Sequence, residues 1–152
     1  YGEFHENSKH TTRMPYMKPV YDVLEKNRGK VIYFDFWARW CPPCLAEMEP
    51  LKQLRSKFST DDLIIYSICV SEPKEQWEEC LNEYSLRNRG IECVHVTDYL
   101  GIDNYQKIRK QWKIDRMPYY ILINRQGQII DFGTAARPSN PQLVSRIEEA
   151  VK

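Results

Sequence analysis

The stretch Val31-Ile32-Tyr33-Phe34-Asp35-Phe36-Trp37-Ala38-Arg39-Trp40-Cys41-Pro42-Pro43-Cys44 joins an apolar run to a close pair of cysteines. Residues 31–37 are apolar on both faces except for Asp35, which is typical of a central strand covered on both sides. After the cysteines, apolar residues recur with helical spacing to about Phe58, at Leu45, Met48, Leu51 and Leu54. The stretch predicts a buried strand, a loop with the cysteine pair, and a helix.

Cys41 and Cys44 stand three residues apart where the predicted helix begins. The thiolate is the attacking form in disulfide exchange, and a helix N-terminus stabilises its negative charge. Cys44 is one helical turn further on, within reach of the first sulfur. We expect Cys41 to attack a partner disulfide and Cys44 to resolve the mixed disulfide, while Pro42 and Pro43 stiffen the loop.

Two alternatives for this pair are half of a zinc site and two structural thiols. A zinc site needs further ligands, and the chain has no second CxxC motif and no closely spaced histidine pair. His5 and His10 lie in the polar N-terminal segment, and His95 stands alone. We therefore expect a redox-active Cys41–Cys44 disulfide without a metal or an organic cofactor.

The rest of the chain alternates between strand and helix patterns. Further strands are predicted over residues 63–70, 92–96, 119–123 and 128–132. Further helices are predicted from Pro19 to Gly29, from Ser71 or Pro73, over about 104–112, and from Pro141 with Ser139 or Asn140 as the cap. The last two strands flank Gly127 and form a hairpin. This order predicts an α/β fold whose mixed sheet carries helices on both faces.

Composition sets broad limits on partners and location. The 152 residues fit one domain, with 1–16 as a polar N-terminal arm and 17–152 as the folded part. A formal net charge of +1 gives no electrostatic case for binding nucleic acid or an anionic membrane. No apolar run approaches the ~18 residues of a membrane span. The polar start without Met suggests a mature form or an excised domain.

The segment 33–44 resembles the active-site segment of thioredoxins. Its continuation Cys44-Leu45-Ala46-Glu47-Met48 is similar to the TlpA/ResA-like bacterial branch of that superfamily, a branch often labelled with the alkyl hydroperoxide reductase/thiol-specific antioxidant group. The resemblance covers roughly residues 17–152. It implies a thioredoxin fold with an extra βα insert, which residues near 74–96 would supply.

The resemblance also implies roles for the Met117-Pro118 pair and for Asp35. Met117-Pro118 matches the cis-proline loop, where the residue before the proline offers backbone hydrogen bonds to a substrate strand. An ordinary trans proline at a strand start is the alternative. Asp35 matches a buried acid that exchanges a proton with the second cysteine, here Cys44. Alternatively, Asp35 faces a polar edge and caps a turn.

Three side chains near the pair receive weaker assignments from the resemblance. Glu47 matches an acid of the ResA-like branch that affects thiol pKa values or substrate choice, although a solvated helix face is an equal alternative. Trp40 would shield the reactive sulfur and join the docking surface, and Trp37 would be structural. The kinking proline of thioredoxin helices falls one residue late, at Pro50 instead of position 49, which leaves the helix register open.

Some features fall outside these assignments. Cys69, Cys80 and Cys93 lie in apolar or amphipathic stretches and are expected to be buried, inert thiols, with a Cys69–Cys93 redox pair as the alternative. An odd number of cysteines leaves at least one thiol unpaired. The segment Arg137-Pro138-Ser139 recurs in relatives of the branch and is treated as structural.

These features predict a monomeric thiol–disulfide oxidoreductase that exchanges electrons with protein substrates and an upstream donor. By the resemblance it would act as a reductant in the periplasm or another extracytoplasmic compartment. A thiol peroxidase is one alternative, but peroxiredoxins carry Thr where this chain has Ala38. A redox-inactive binding module of a larger protein is another, and an oxidant or isomerase is the remaining one.

Overall fold

The computed structural model describes residues 14–71 and 73–152, and their centre is a five-stranded mixed sheet. The strands are β1 Val31–Trp37, β2 Leu63–Cys69, β3 Ile91–His95, β4 Tyr119–Ile123 and β5 Ile129–Gly133. Their order is β3-β2-β1-β4-β5, with β1 parallel to β2, β2 parallel to β3, and β4 antiparallel to both β1 and β5. The central position predicted for β1 is confirmed, and all seven of its residues are buried.

Seven α-helices follow a 3₁₀ turn at Pro15–Met17 in the described part of the chain. They are α1 Lys18–Lys26, α2 Pro42–Ala46, α3 Met48–Lys57, α4 Lys74–Glu83, α5 Val96–Tyr99, α6 Ile102–Gln111 and α7 Pro141–Ala150. The predicted helices are present with ends that differ by a few residues. The short helix α5 was not predicted. The side chain of Asn140, one of the two predicted caps, accepts the amide of Gln142 at the start of α7.

Helices cover both faces of the sheet, as predicted. Side chains of β1 alternate between the faces, so Ile32, Phe34 and Phe36 pack with α1 and α6. Val31 and Tyr33 face the other way and pack with α3 and α7. A third cluster gathers at the carboxyl ends of β1 and β2, where the cysteine pair lies.

The helix after the cysteine pair is divided in two at Glu47, between α2 and α3. Continuous helix through this point would require the residue at position 50 to donate its amide to the carbonyl of Ala46. Pro50 has no amide hydrogen, and its ring clashes with that carbonyl. The chain therefore ends one helix at Ala46 and starts the next at Met48. Pro50, one residue later than the kinking proline of thioredoxins, therefore still interrupts the helix, with the break at Glu47.

The expected insert occupies residues 74–95, as α4 followed by β3. The strand joins the sheet edge beside β2, with Cys93 opposite Ser67. The predicted hairpin is present as β4 and β5, with Gly127 at a φ of +80° in the turn. Residues 1–13 lie outside the described residues, so the N-terminal arm stays a prediction.

One arginine ties together the end of the sheet that lies opposite the cysteine pair. Arg125, in the β4–β5 turn, donates to the carbonyl of Gly29 at 3.0 Å, to the carboxylate of Asp62 at 3.0 Å and to the carbonyl of Val151 at 2.7 Å. Gly29 and Asp62 precede β1 and β2, whereas Cys41 follows β1. None of the helices within 14–71 and 73–152 is long and apolar enough to cross a membrane.

Candidate active site

A disulfide joins Cys41 and Cys44 directly after β1, with 5.3 Å between their Cα atoms. Cys41 is the N-cap of α2, and Pro42 and Pro43 fill the first helical positions. Proline suits these positions because the first amides of a helix have no partner within it. The amide of Cys44 donates to the Sγ of Cys41 at 3.3 Å. A thiolate on Cys41 in the reduced protein would therefore face a backbone donor.

The cysteine pair packs against buried side chains on its inner side and is bordered by exposed side chains at the surface. Cys41 and Cys44 are only 4% and 2% exposed, and they pack in a cluster with Trp37 and Met48. Trp40 is 67% exposed, and Pro42 and Pro43 are exposed beside it. Trp37 is fully buried in this cluster, which supports the structural role predicted for it. The sulfur pair thus lies beneath an apolar surface patch.

The loop into the disulfide is held by a second loop that follows β2. The amide of Arg39 donates to the hydroxyl of Ser71 at 2.9 Å. The carbonyl of Ser71 lies 2.8 Å from Nε2 of His95, the last residue of β3. Because the amide of Thr97 donates to Nδ1 of His95, the proton sits on Nε2 and is donated to Ser71. His95 is therefore an anchor in the fold, which sequence analysis had left unassigned.

The peptide bond between Met117 and Pro118 is cis, as the resemblance implied. It lies directly before β4, and Met117 packs against the cluster that contains Cys41 and Cys44. The hydroxyl of Thr134 donates to the carbonyl of Pro118 at 2.8 Å and fixes the loop from the other side. The structure thus brings the Met117-Pro118 loop to the disulfide.

Asp35 is buried in β1, on the face that it shares with Tyr33 and Trp37. Burial raises the pKa of this carboxyl to about 7, the Ser67 hydroxyl bond opposes the rise, and the charge of Glu47 adds to it. The hydroxyl of Ser67 donates to Oδ2 at 3.4 Å, so the carboxyl has a long hydrogen bond in an apolar setting. The alternative of an exposed polar edge is wrong for this residue.

Glu47 occupies the break between α2 and α3, and its side chain is 13% exposed. Its carboxylate accepts the Ser139 amide at 2.9 Å and the Ser139 hydroxyl at 2.7 Å. Nε of Arg137 lies 3.9 Å from the same carboxylate. Glu47 is therefore a half-buried acid whose two oxygens are both hydrogen-bonded, and the alternative of a solvated helix face is wrong.

The three remaining cysteines carry thiols. Cys69 and Cys80 are buried and Cys93 is half-buried, close to the expectation for inert residues. Burial raises the pKa of the Cys80 thiol, and it raises the pKa of the Cys93 thiol to about 11. The alternative Cys69–Cys93 bond is not formed here. Such pKa values leave little thiolate at neutral pH.

Sequence analysis missed several polar partners of the site. Ser67 is the polar residue at the fifth position of β2, and it pairs in register with Asp35 at the fifth position of β1. Aligning the two apolar runs could have found this pair. Ser139 and Arg137 were noticed but treated as structural. The contact of Ser139 with Glu47 spans 92 residues of sequence, so no local pattern points to it.

No group of three or more His, Cys, Asp or Glu side chains that could hold a metal occurs within 14–71 and 73–152. The two motif cysteines are bonded to each other instead of being arranged as ligands. The site thus consists of a disulfide-bonded cysteine pair, one buried acid and one cis-proline loop.

A CxxC disulfide after the central strand, beside a cis-proline loop, defines a thioredoxin-fold protein with a redox-active pair. The Redoxin family model matches residues 18–151, and the chain belongs to that family. The similarity to the TlpA/ResA-like branch is confirmed by curated relatives. The thiol-disulfide oxidoreductase ResA of Halalkalibacterium halodurans is 25% identical over 129 residues, which cover 85% of this chain and 66% of that protein.

Solved structures agree with this placement. A Bacteroides vulgatus protein described as a thiol-disulfide oxidoreductase is 32% identical, with a TM-score of 0.65 over 83% of this chain and 76% of that chain. The thioredoxin domain of another Bacteroides vulgatus thiol-disulfide oxidoreductase has a TM-score of 0.70 at 22% identity, over 85% and 84% of the two chains, and shows the shared fold. The chain spans 57 to 66% of the length of the first curated relatives. Together these relatives support the predicted class, an oxidoreductase of thiols and disulfides.

Proposed function

We propose that this chain is a thiol–disulfide oxidoreductase that uses Cys41 and Cys44 to exchange electrons with protein substrates. The observation that carries the proposal is the disulfide at the start of α2, where Cys41 caps the helix and faces the Cys44 amide. Membership of the Redoxin family and similarity to ResA proteins support it. The exchange needs no metal and no organic cofactor, because the two sulfurs carry both electrons.

The reaction runs through one mixed disulfide. The Cys41 thiolate attacks a sulfur of the substrate disulfide, forms a bond to it and expels the other substrate sulfur as a thiolate, which takes up a proton. The Cys44 thiol then loses its proton and attacks the Cys41 sulfur, which releases the second substrate thiol. Two electrons have moved to the substrate, and an upstream dithiol donor must reduce the Cys41–Cys44 disulfide again.

Asp35 is the proposed acceptor of the Cys44 proton, and it returns that proton in the reverse direction. Its pKa of about 7 suits a group that must both take and give a proton near neutral pH. Its place in β1, on the face that carries Trp37, puts it on the side of the sheet where the cysteine cluster packs. Glu47 contributes through its charge, since it raises the pKa of Asp35.

The substrate is proposed to dock on the exposed patch around the disulfide. Trp40, Pro42 and Pro43 offer apolar surface next to Cys41. The backbone of Met117, before the cis Pro118, would pair with an extended substrate segment. Such docking suits protein substrates better than small disulfides. A single domain of this kind would work as a monomer.

Reduction in the cell envelope is the proposed direction and place, and it rests on the ResA-like resemblance. A reductant requires a low potential, near the ~−270 mV of thioredoxin, whereas a strong oxidant lies near ~−120 mV. Equilibration of the pair against glutathione measures this value, and fractionation of the source cells locates the protein. A potential close to −120 mV would overturn the reductant assignment and leave the exchange chemistry standing.

The exchange itself is tested by reduction of insulin with a dithiol donor. Cys41→Ser is expected to abolish activity, because no nucleophile remains to attack the substrate. Cys44→Ser is expected to accumulate a mixed disulfide through Cys41, visible by mass spectrometry and released by reductant. Cys93→Ala serves as the matched control and should keep wild-type activity. Full activity in Cys41→Ser, or peroxide consumption in place of insulin reduction, would contradict the proposal.

A further inference from the structure

We propose that Ser139 is a positioning residue for Glu47, and that the loop carrying it sets proton transfer between Asp35 and the cysteine pair. The inference rests on the proposed thiol–disulfide exchange and adds to it a part of the chain far from the CxxC motif. Ser139 lies just before α7, at the opposite end of the sequence from β1.

The contact with Glu47 is specific in geometry. Ser139 donates its amide to one carboxylate oxygen at 2.9 Å and its hydroxyl to the other at 2.7 Å. Arg137 adds a guanidinium at 3.9 Å from the second oxygen. Both oxygens are thus occupied by one serine, which fixes the carboxylate in position and orientation.

The loop that presents Ser139 is itself anchored. The hydroxyl of Tyr33, in β1, donates to the carbonyl of Ala136 at 2.6 Å. Asn140 donates its side-chain amide to the carbonyl of Ala135 at 2.8 Å and caps α7 with its carbonyl oxygen. The loop is therefore tied both to the sheet and to its own helix. Ser139 is not the cap of α7, so its side chain is available to Glu47.

Glu47 in turn connects directly to the reacting pair. Its amide donates to the carbonyl of Cys44 at 3.1 Å, and its carbonyl accepts the amide of Leu51 at 2.9 Å. The residue thus joins the last turn of α2 to the first turn of α3. Contacts that fix the Glu47 side chain therefore also fix the break between α2, which carries Cys44, and α3.

The charges around Glu47 give this contact an electrostatic consequence. The charge of Glu47 acts on Asp35 and Tyr33 in β1 and on Tyr120 in β4, and the guanidinium of Arg137 lies 3.9 Å from its carboxylate. Burial keeps both tyrosines neutral by raising their pKa values, and their rings stack at 5.6 Å.

Asp35 itself accepts a hydrogen bond from the Ser67 hydroxyl, and its charge acts on the thiol of Cys93. The negative charge of Glu47 raises the pKa of Asp35. If Ser139 no longer holds Glu47, the carboxylate can turn toward water and its repulsion of Asp35 weakens. Asp35 then ionises at lower pH, and the step that depends on its protonation shifts with it.

The test compares pH profiles of insulin reduction between pH 5 and 9, using variants of the whole 152-residue chain. Asp35→Asn identifies which inflection of the pH–activity profile belongs to Asp35. Glu47→Gln removes the negative charge that acts on Asp35. Ser139→Ala is expected to move this inflection to lower pH, in the same direction as Glu47→Gln but by less. Ser139→Thr, which keeps the hydroxyl, should restore the wild-type profile. Ser145→Ala, at an exposed position of α7, is the matched control.

A carbon-13 NMR titration of the Asp35 carboxyl gives a readout that does not depend on turnover. The resonance should titrate at lower pH in Ser139→Ala than in wild type. In Ser145→Ala it should titrate at the wild-type pH. A Ser139→Ala profile that superimposes on wild type while Glu47→Gln shifts would overturn the inference and leave the exchange mechanism intact. Loss of insulin reduction by the wild-type protein would instead overturn the proposed function itself.

Discussion

The two cysteines at the start of α2 and the three cysteines outside the CxxC motif lie in one region but in opposite environments. Cys41 and Cys44 meet a helix start, a backbone donor and an exposed apolar patch. Cys69 is fully buried and contacts the carbonyl of Ser71 at 3.9 Å, and Cys93 contacts the carbonyl of Leu86 at 3.8 Å. Acceptors next to a thiol favour the protonated form, whereas donors favour the thiolate. Reactivity therefore follows the local partners of each sulfur.

The largest expected effect concerns Asp35, the buried carboxyl whose charge acts on Cys93 and which is the proposed proton acceptor of Cys44. Its pKa rises from 3.8 to about 7 on folding, so between these values the unfolded chain is ionised and the folded protein is not. Stability is therefore fully present below pH 4 and decreases as the pH rises to 7. At ~1.4 kcal/mol per unit, the loss is about 4 kcal/mol at most.

Urea unfolding of the oxidised protein between pH 4 and 8 measures this slope. Asp35→Asn should flatten it and should also lower the pKa of Cys93, which the Asp35 charge raises. Ser145→Ala, at an exposed position, should keep the wild-type slope. A wild-type slope no steeper than that of Asp35→Asn would show that Asp35 ionises in the fold at its ordinary pH.

The second prediction separates the two groups of sulfurs by their rate of alkylation. With a pKa of about 11, only ~0.1% of Cys93 is thiolate at pH 8. After reduction, iodoacetamide at pH 8 should modify Cys41 about 100-fold faster than Cys93 or Cys80, because a helix start raises the thiolate fraction of Cys41. Peptide mass spectrometry reads each site.

Two controls frame this labelling experiment. In the oxidised protein, Cys41 and Cys44 should resist the reagent, since both sulfurs are bonded. In urea after reduction, all five cysteines should react at similar rates. Equal labelling of Cys93 and Cys41 in the folded, reduced protein would remove the distinction between the groups.

The smallest expected effect tests whether the thiols outside the CxxC motif serve packing. Cys69 is fully buried in the cluster with Trp37, so Cys69→Ala should cost about 1 kcal/mol of unfolding free energy through the space it leaves. The half-buried Cys93→Ala should cost less. Insulin reduction should stay at the wild-type level in both variants. A loss of activity without a loss of stability would give these thiols a chemical role.

Local patterns were sufficient for most of the fold. The apolar run at 31–37 predicted the central strand, and Gly127 between two strand patterns predicted the hairpin, because both signals come from residues close in sequence. The division of the helix at Glu47 was less visible. It follows from the missing amide of Pro50, whose effect falls on a carbonyl four residues earlier.

In the candidate site, too, the residues in short motifs could be predicted from the sequence, whereas their tertiary partners could not. Cys41, Cys44 and the cis Met117-Pro118 bond could be located from short motifs and a resemblance. The partners of Asp35 and Glu47 could not, since Ser67 and Ser139 reach them only through strand register and a loop before the last helix. Tertiary contacts of this kind depend on the folded arrangement and leave no periodic trace in the sequence.

The position of Arg125 has a practical consequence for handling the protein. By holding Val151 together with the loops before β1 and β2, it anchors the last turn of the chain at the end of the sheet away from the sulfurs. An affinity matrix or fluorescent reporter attached after Lys152 would therefore point away from Trp40. Large client proteins could then be captured on an immobilised Cys44→Ser variant with their approach to Cys41 unobstructed.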